Sequence, residues 1–137
     1  MNCRDRIQNN PYRALGVHVG APASLELRNK NRIAAYSKVG LQTTFYFPIE
    51  EKLTPLERTE TAAEEALRTL ALPKDRIVNA FFWVGNGDSV WSRELTEAVN
   101  SLLDGKQLEA CWHYGNLIYN QDLRECLNLN QIKRYEA

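Results

Sequence analysis

Cysteine and histidine are the residues of this chain best suited to covalent chemistry, and Cys111-Trp112-His113 brings the two types together. A thiol becomes a strong nucleophile when a neighbouring imidazole removes its proton. Residues two apart on a helix point in different directions, so Cys111 and His113 cannot form this pair locally. A small enzyme that uses Cys111 or Cys126 therefore remains an alternative that needs a base from elsewhere, such as His18.

Metal and cofactor sites are not indicated by the sequence. The chain has three cysteines and two histidines, and Cys3, Cys111 and Cys126 form no Cys-x-x-Cys pair. A zinc site needs several convergent ligands, and its cysteines usually show short spacings. Scattered cysteines are more typical of reduced, buried thiols. We therefore predict structural cysteines, no metal ion and no cofactor.

Two further patterns that could do chemistry are better explained as ordinary structure. Gly85-Asn86-Gly87-Asp88 is rich in glycine, but no Gly-Lys-Ser/Thr follows it and no buried strand precedes it, so it predicts a turn. Several glutamates lie on one side of a predicted helix, with no apolar pocket visible around them. This solvated acidic face consists of Glu57, Glu60, Glu64 and Glu65.

The composition limits the classes of function. The 137 residues include 44% hydrophobic and 25% charged residues, which is typical of a folded globular domain. Seventeen basic residues balance 17 acidic ones, so the basic excess of a nucleic-acid binder is missing. No apolar run approaches the roughly 20 residues that span a bilayer, and the N-terminus does not lead into a signal-peptide core. We expect a cytoplasmic protein that binds neither nucleic acid nor membranes.

Local start and stop signals divide the first part of the chain into helices. Asn10 and Pro11 are typical of a helix start, and Gly16 is typical of a helix end. Thr54-Pro55-Leu56-Glu57 has the pattern of a capping box. The residues before Asn10 are expected to form a loosely held leader. The predicted helices are a short one from Pro11, one over Ser24 to Val39, one from Thr54 to about Leu70 and one from Pro73.

Two of these stretches carry a resemblance to a known family. Asn10-Pro11-Tyr12-Arg13-Ala14-Leu15-Gly16-Val17 resembles the opening of a J-domain, the module of DnaJ-type co-chaperones. Leu70-Ala71-Leu72-Pro73-Lys74-Asp75-Arg76-Ile77 is similar to the point where the third helix of that domain turns into the fourth. The same run and Asn29-Lys30-Asn31-Arg32-Ile33 resemble uncharacterised J-like bacterial proteins. The resemblance extends from Asn10 to about Val84 and implies an antiparallel pair formed by the second and third helices.

The functional triplet of the family is missing from this chain. J-domains carry His-Pro-Asp in the loop after the second helix, where it stimulates ATP hydrolysis by a heat-shock chaperone. Here Pro48 lies between Phe47 and Ile49, and the two histidines are His18 and His113. No functional residue of the family can therefore be carried over.

Two groups of residues are candidates for binding a partner protein. The second helix is basic, as the helix that J-domains present to their chaperone is, and its cations are Arg28, Lys30, Arg32 and Lys38. The following loop contains three successive aromatic residues, which cannot all face one way, so at least one should be partly exposed unless a neighbouring element covers it: Phe45, Tyr46 and Phe47. A solvated helix surface and a loop packed on the core are the alternative interpretations.

The chain after Val84 predicts a helical hairpin. Trp91, Leu95 and Val99 line one helix, which ends near Leu103 before the Asp104-Gly105 stop. Four apolar residues are predicted to line its return partner: Leu108, Cys111, Trp112 and Ile118. The pair resembles one tetratricopeptide-like unit. Asp122 to Tyr135 predicts another helix, and the lack of a stop signal leaves room for further repeats after Ala137.

The fourth helix is expected to join the two parts. Val78, Phe82 and Trp83 lie off the face that Ile77 and Phe81 would turn toward the J-like pair, so they need other apolar cover. We expect this cover from Trp91, Leu95 and Val99, which lie on the next helix.

We therefore predict an all-α protein. Residues 1–84 form a J-domain-like antiparallel helical hairpin with flanking short helices, and residues 85–137 form a tetratricopeptide-like hairpin that packs with it as one unit. The leading hypothesis is a non-enzymatic adaptor that binds another protein. The alternative is a co-chaperone that docks a heat-shock chaperone ATPase through the basic second helix.

Overall fold

The computed structural model describes residues 2–127, and this part of the chain contains helices and connecting segments but no β-strand. The all-α prediction is therefore confirmed. The helices are α1 (Cys3–Gln8), α2 (Pro11–Leu15), α3 (Ala23–Lys38), α4 (Glu60–Leu70), α5 (Pro73–Ala80), α6 (Val90–Leu103), α7 (Gln107–Ile118) and α8 (Gln121–Cys126), with one 3₁₀ turn at Glu50–Lys52.

Helix α2 begins and ends at the residues that the sequence predicts. The Asn10 side-chain oxygen accepts a hydrogen bond from the Tyr12 N–H at 2.9 Å, and Pro11 occupies the first helical position. Gly16 ends the helix in the left-handed conformation with φ of 65°. A Cβ atom on Gly16 would lie 2.3 Å from the Phe45 ring, so this glycine also permits a close approach of the aromatic loop.

The predicted leader is instead a helix. Residues 3–8 form α1, which Asn2 caps and whose Ile7 is fully buried. The Gln8 amide donates to the Thr54 carbonyl at 2.7 Å and accepts from the Thr54 N–H at 2.9 Å. The leader prediction was wrong because one apolar residue in a polar stretch shows no periodicity, while the contacts that hold α1 come from distant residues.

Helix α4 begins later than predicted. Its cap is Thr59, whose hydroxyl accepts from the Ala62 N–H at 3.1 Å, and residues 54–58 are not helical. The capping-box prediction at Thr54 was wrong because this backbone is already bonded elsewhere: the Thr54 carbonyl also accepts from Arg13 at 2.8 Å. The Arg58 N–H donates to the Gln42 side chain at 2.9 Å.

Helices α3 and α4 pack against each other in opposite directions. At one end, Lys38 Nζ lies 4.0 Å from a Glu60 carboxylate oxygen. At the other end, Arg76 joins Glu26, near the start of α3, to the carbonyl of Leu70, the last residue of α4. An exposed pair such as the first contributes at most about 1 kcal/mol, so the buried apolar residues hold the two helices together.

The segment after α5 is central to the core. The Trp83 side chain is fully buried, and its indole N–H donates to the Val17 carbonyl at 3.0 Å. The Val19 N–H donates to the Val84 carbonyl at 2.9 Å. Val78 is 45% exposed, so the expectation that it needs cover was wrong. Phe82 is partly buried, and the Arg6 guanidinium of α1 lies 5.6 Å from its ring centre.

The last three described helices pack on this segment. Helix α6 begins at a capping box in which Ser89 and Ser92 bond each other's backbone N–H groups. Helix α7 returns antiparallel to it, because Asn116 near its end donates to Glu94 near the start of α6. One continuous apolar core includes Ile7, Leu70, Trp83, Leu95, Val99, Leu117 and Leu123.

Helix α7 turns a different face to α6 from the one predicted. Ala110 and Leu117 are buried, whereas all four predicted contact residues are exposed: Leu108, Cys111, Trp112 and Ile118. The prediction was wrong because α7 has apolar residues on two sides. The Tyr114 hydroxyl donates to the Phe81 carbonyl at 2.5 Å, which ties α7 to the segment after α5.

Helix α8 corresponds to the first part of the predicted last helix. Asn120 caps it, and Leu123 and Leu127 are buried. The rest of that prediction, to Tyr135, falls in residues 128–137 and so lies outside the described residues. None of the described helices is long and apolar enough to cross a membrane.

Candidate interaction surfaces

Residues 10–17, which we call the α2 hub, bind other parts of the same chain. The Asn10 amide donates to the Asn79 carbonyl at 2.9 Å and to the Phe82 carbonyl at 3.2 Å. The buried Asn29 amide donates to the Leu15 carbonyl at 2.9 Å. Buried polar groups need such partners. The residues that resemble a J-domain opening are therefore used to hold the fold together.

Arg13 is the charged residue of the hub, and its side chain has no exposed surface. Its guanidinium binds Glu50 through two hydrogen bonds, of 3.1 Å from Nε and 2.7 Å from Nη2. It also donates to the Gln8 carbonyl at 2.8 Å. This bidentate pair connects α2 to the 3₁₀ turn that follows the aromatic loop.

A second buried arginine, Arg58, was missed by the sequence analysis. It donates to the carbonyls of Arg13 at 2.8 Å and Thr43 at 3.3 Å, and its guanidinium lies 5.0 Å from the centre of the Phe45 ring. Burial lowers the pKa of Arg58. No local pattern marks this residue, because its partners are 15 to 45 positions away.

Helix α5 is attached through Arg76. Its guanidinium binds Glu26 through hydrogen bonds of 3.0 and 2.7 Å, and these bonds raise the pKa of Arg76. The Tyr12 hydroxyl donates to the Arg76 carbonyl at 3.3 Å, and burial raises the pKa of Tyr12 to about 12.

The four predicted basic candidates do not form one free surface. Arg28 is exposed and Lys30 is partly exposed. The Arg32 guanidinium lies 5.5 Å from the Tyr36 ring centre and 5.7 Å from that of Phe45, while Lys38 faces Glu60. Two of the four cations are thus engaged by neighbouring side chains.

The three aromatic candidates separate into two inward and one outward residue. Phe45 packs against Gly16 and Arg58, and the Phe47 ring meets the Trp83 ring edge-on with centroids 5.1 Å apart. Tyr46 is 81% exposed. The expectation that at least one of the three is partly exposed is confirmed by Tyr46.

Tyr46 borders a groove of about 440 Å³ between the aromatic loop and α6. The apolar wall consists of Phe47 and Pro48, and the turn that contains Gly85 lies beside it. The polar residues that line the groove are His18, Asn86, Arg93, Thr96 and Glu97. The sequence analysis missed these residues as a group because they come from separate segments with no common pattern. We call this site the Tyr46 groove.

Another groove, of about 500 Å³, lies among α1, α4 and the extended residues before α4. Its lining includes Pro11, Ala14 and Ala66, with the charged Arg6 and Glu65. It lacks an exposed aromatic side chain, the residue type that most often anchors a protein partner. The Tyr46 groove is therefore the stronger candidate of the two.

Helix α7 presents a second candidate surface. Leu108 is 88% exposed, Trp112 65% and Tyr119, which follows the helix, 87%. Gly115 lies between the two aromatic residues in sequence, and a Cβ atom on it would meet nothing within 4 Å. We call these four residues the α7 outer face.

The histidine side chains and that of Cys126 contact other residues of the chain. Cys3, Cys111 and Cys126 are free and exposed, so the prediction that they are buried was wrong. Although the Cys126 residue as a whole is exposed, its sulfur lies beside Gly20, and this partial burial raises the pKa of the thiol and weakens it as a nucleophile. His113 Nδ1 lies 3.2 Å from a Glu94 carboxylate oxygen. Within residues 2–127, no three histidine, cysteine or acidic side chains are grouped to hold a metal ion.

Comparison of the chain with protein-family models, with curated proteins and with solved structures found no match. The resemblance to J-domains therefore stays a prediction.

Proposed function

We propose that this protein is a non-enzymatic adaptor that binds a segment of another protein in the Tyr46 groove, next to a J-domain-like helical region without His-Pro-Asp. The observation that carries the proposal is the 81% exposure of Tyr46 at the edge of a groove with an apolar wall. Exposed aromatic side chains beside concave surfaces are frequent anchors of protein interfaces.

The lining of the groove defines the chemistry of the partner. Phe47 and Pro48 provide apolar surface for one inserted side chain, and Arg93 and Glu97 lie on α6 about one turn apart. An extended segment that carries an apolar residue, with polar groups beside it, matches this lining. Phe47 is held against Trp83, so the wall is fixed before the partner binds and little ordering entropy is lost.

In-cell photocrosslinking tests this proposal. A photoreactive phenylalanine analogue replaces Tyr46 in one variant and Lys74, an exposed residue on α5, in the control. We expect a discrete crosslinked protein from position 46 alone. With that protein purified, Tyr46→Ala and Arg93→Glu should each weaken binding at least about tenfold. Equal crosslinking from both positions, or unchanged affinity of both variants, contradicts the proposal.

The second candidate function is docking to a heat-shock chaperone through α3. The observation in its favour is that Arg28 and Lys30 reach the surface of this helix. A steady-state ATPase assay separates the two functions, because the adaptor proposal predicts no stimulation. A stimulation that disappears in Arg28→Glu/Lys30→Glu but persists in Tyr46→Ala favours the second function.

A further inference from the structure

We propose that a second copy of this chain covers the α7 outer face, with the two α7 helices antiparallel about a two-fold axis. This surface is separate from the Tyr46 groove, and the proposal does not depend on the function proposed above. It begins from the exposure of Leu108, Trp112 and Tyr119, whose apolar area gains free energy when it leaves water.

The outer face has the geometry of a helix contact. Leu108, Trp112, Gly115 and Tyr119 follow at intervals of four, three and four residues, which places them along one side of a helix. Ala110 and Leu117 lie on the opposite side and are buried. Helix α7 therefore has an apolar side packed within the chain and an apolar side that stays largely exposed in the described part of the chain.

The order of residues along the outer face favours a second copy as the occupant. In an antiparallel pair centred between His113 and Tyr114, Trp112 of one copy lies opposite Gly115 of its partner. Since a Cβ on Gly115 meets nothing within 4 Å, the glycine leaves room for the largest side chain of the face. Leu108 lies opposite Tyr119 in the same arrangement, so the central pairs match a bulky residue with a glycine and the outer pairs bring two apolar side chains together. A two-fold interface requires this self-complementarity, whereas an unrelated partner does not.

Other arrangements of two copies match less well. Parallel helices would bring Trp112 against Trp112 and leave both glycines opposite each other. They would also place the exposed Glu109 carboxylates side by side. The antiparallel pair separates these carboxylates by roughly 13 Å along the axis, from the helical rise of 1.5 Å per residue, which exceeds the Debye length at physiological salt.

The size of the face predicts a weak dimer. Helix α7 has 12 residues and is about 18 Å long. Its exposed aromatic side chains, with Leu108, offer on the order of 400 Å² per copy. The total lies below the ~1,000 Å² of stable interfaces, so we expect a weak dimer that dissociates readily on dilution.

Sedimentation equilibrium of the full chain in reducing buffer, from about 5 to 500 µM, tests the proposal. We expect the mean mass to rise toward that of a dimer. Gly115→Leu, which fills the glycine position of an exposed helix side, and Trp112→Ala should each raise the dissociation constant at least about tenfold. Tyr46→Ala, which removes an equally exposed aromatic ring elsewhere, should leave the dissociation constant unchanged.

Urea unfolding at the lowest protein concentration shows whether each variant is folded. It also distinguishes between the possible explanations of a negative result. A chain that stays monomeric at 500 µM overturns the proposal. If it is monomeric and Trp112→Ala lowers the urea midpoint, residues of the same chain cover the face. If the midpoint is unchanged, the face is left for a different protein. A dimer that tolerates Gly115→Leu overturns the antiparallel pairing.

Discussion

The α2 hub and helix α7 use their side chains in opposite ways. In the hub, Asn10 and Arg13 are buried, and their polar groups bond to distant parts of the same chain. Along α7, Trp112 and Tyr119 are large and apolar yet largely exposed. The polar groups of the hub are already hydrogen-bonded within the chain. The apolar side chains of the α7 outer face are still in contact with water, and covering them with another surface would be favourable. The α2 hub, which carries the family resemblance, is therefore a less suitable binding site than the α7 outer face.

Because the hub is buried, the residues that resemble a J-domain are poor places to test binding. The residues that resemble a J-domain opening are occupied by contacts that hold α1, α3, α5 and the aromatic loop in place. Substituting them would unfold or loosen the protein whatever its function. Tests of binding belong instead at Tyr46 and on α7, where side chains can be changed with little effect on the fold.

The largest effect is expected from Arg13→Ala. This change removes a bidentate pair and leaves the Glu50 carboxylate, whose side chain is 22% exposed, without its cation. We expect the free energy of unfolding to fall by about 3 to 5 kcal/mol in urea titration. The matched control, Arg28→Ala on the exposed side of α3, should change it by at most about 0.5 kcal/mol. Similar effects of the two variants would show that the hub is not the polar centre of the fold.

The hub also predicts a loss of stability at alkaline pH. Burial raises the pKa of Tyr12 from 10.0 to about 12, so the folded state keeps this proton after the unfolded state has lost it. Stability is full below pH 10 and falls as pH rises toward 12, by about 2 to 3 kcal/mol from this residue. Urea titrations at several pH values should show a smaller loss in Tyr12→Phe than in the unchanged chain. Parallel pH profiles would argue that Tyr12 ionises freely.

Local signals predicted the elements whose ends depend on neighbouring residues. Helix α2 begins after Asn10 and ends at Gly16 as expected, because a cap and a left-handed glycine act within one helical turn. Pro73 begins α5 for the same reason. The start of α4 could not be found this way, since Thr54 and Thr59 both suit a cap. The choice depends on Gln8 and Arg13, which lie more than 40 positions away from Thr54.

The candidate surfaces also depend on contacts between distant residues, which local sequence signals do not predict. The exposure of one loop aromatic followed from three successive rings, but its identity depends on Gly16 accepting Phe45 and Trp83 accepting Phe47. The periodicity of α7 predicted the helix and not its orientation, because both sides carry apolar residues. The Tyr114 hydroxyl bonds to the Phe81 carbonyl across 33 positions, and helical periodicity does not reveal a contact with so distant a residue.

The two sides of α7 provide the most direct test, through urea unfolding of Leu117→Ala and Trp112→Ala at a concentration too low for association. Leu117 is 1% exposed, so its truncation should lower the free energy of unfolding by about 2 to 5 kcal/mol. Trp112 is 65% exposed, and its truncation should change that free energy by at most about 0.5 kcal/mol. A loss in Trp112→Ala as large as that in Leu117→Ala would contradict the distinction between a packed inner side and an open outer face.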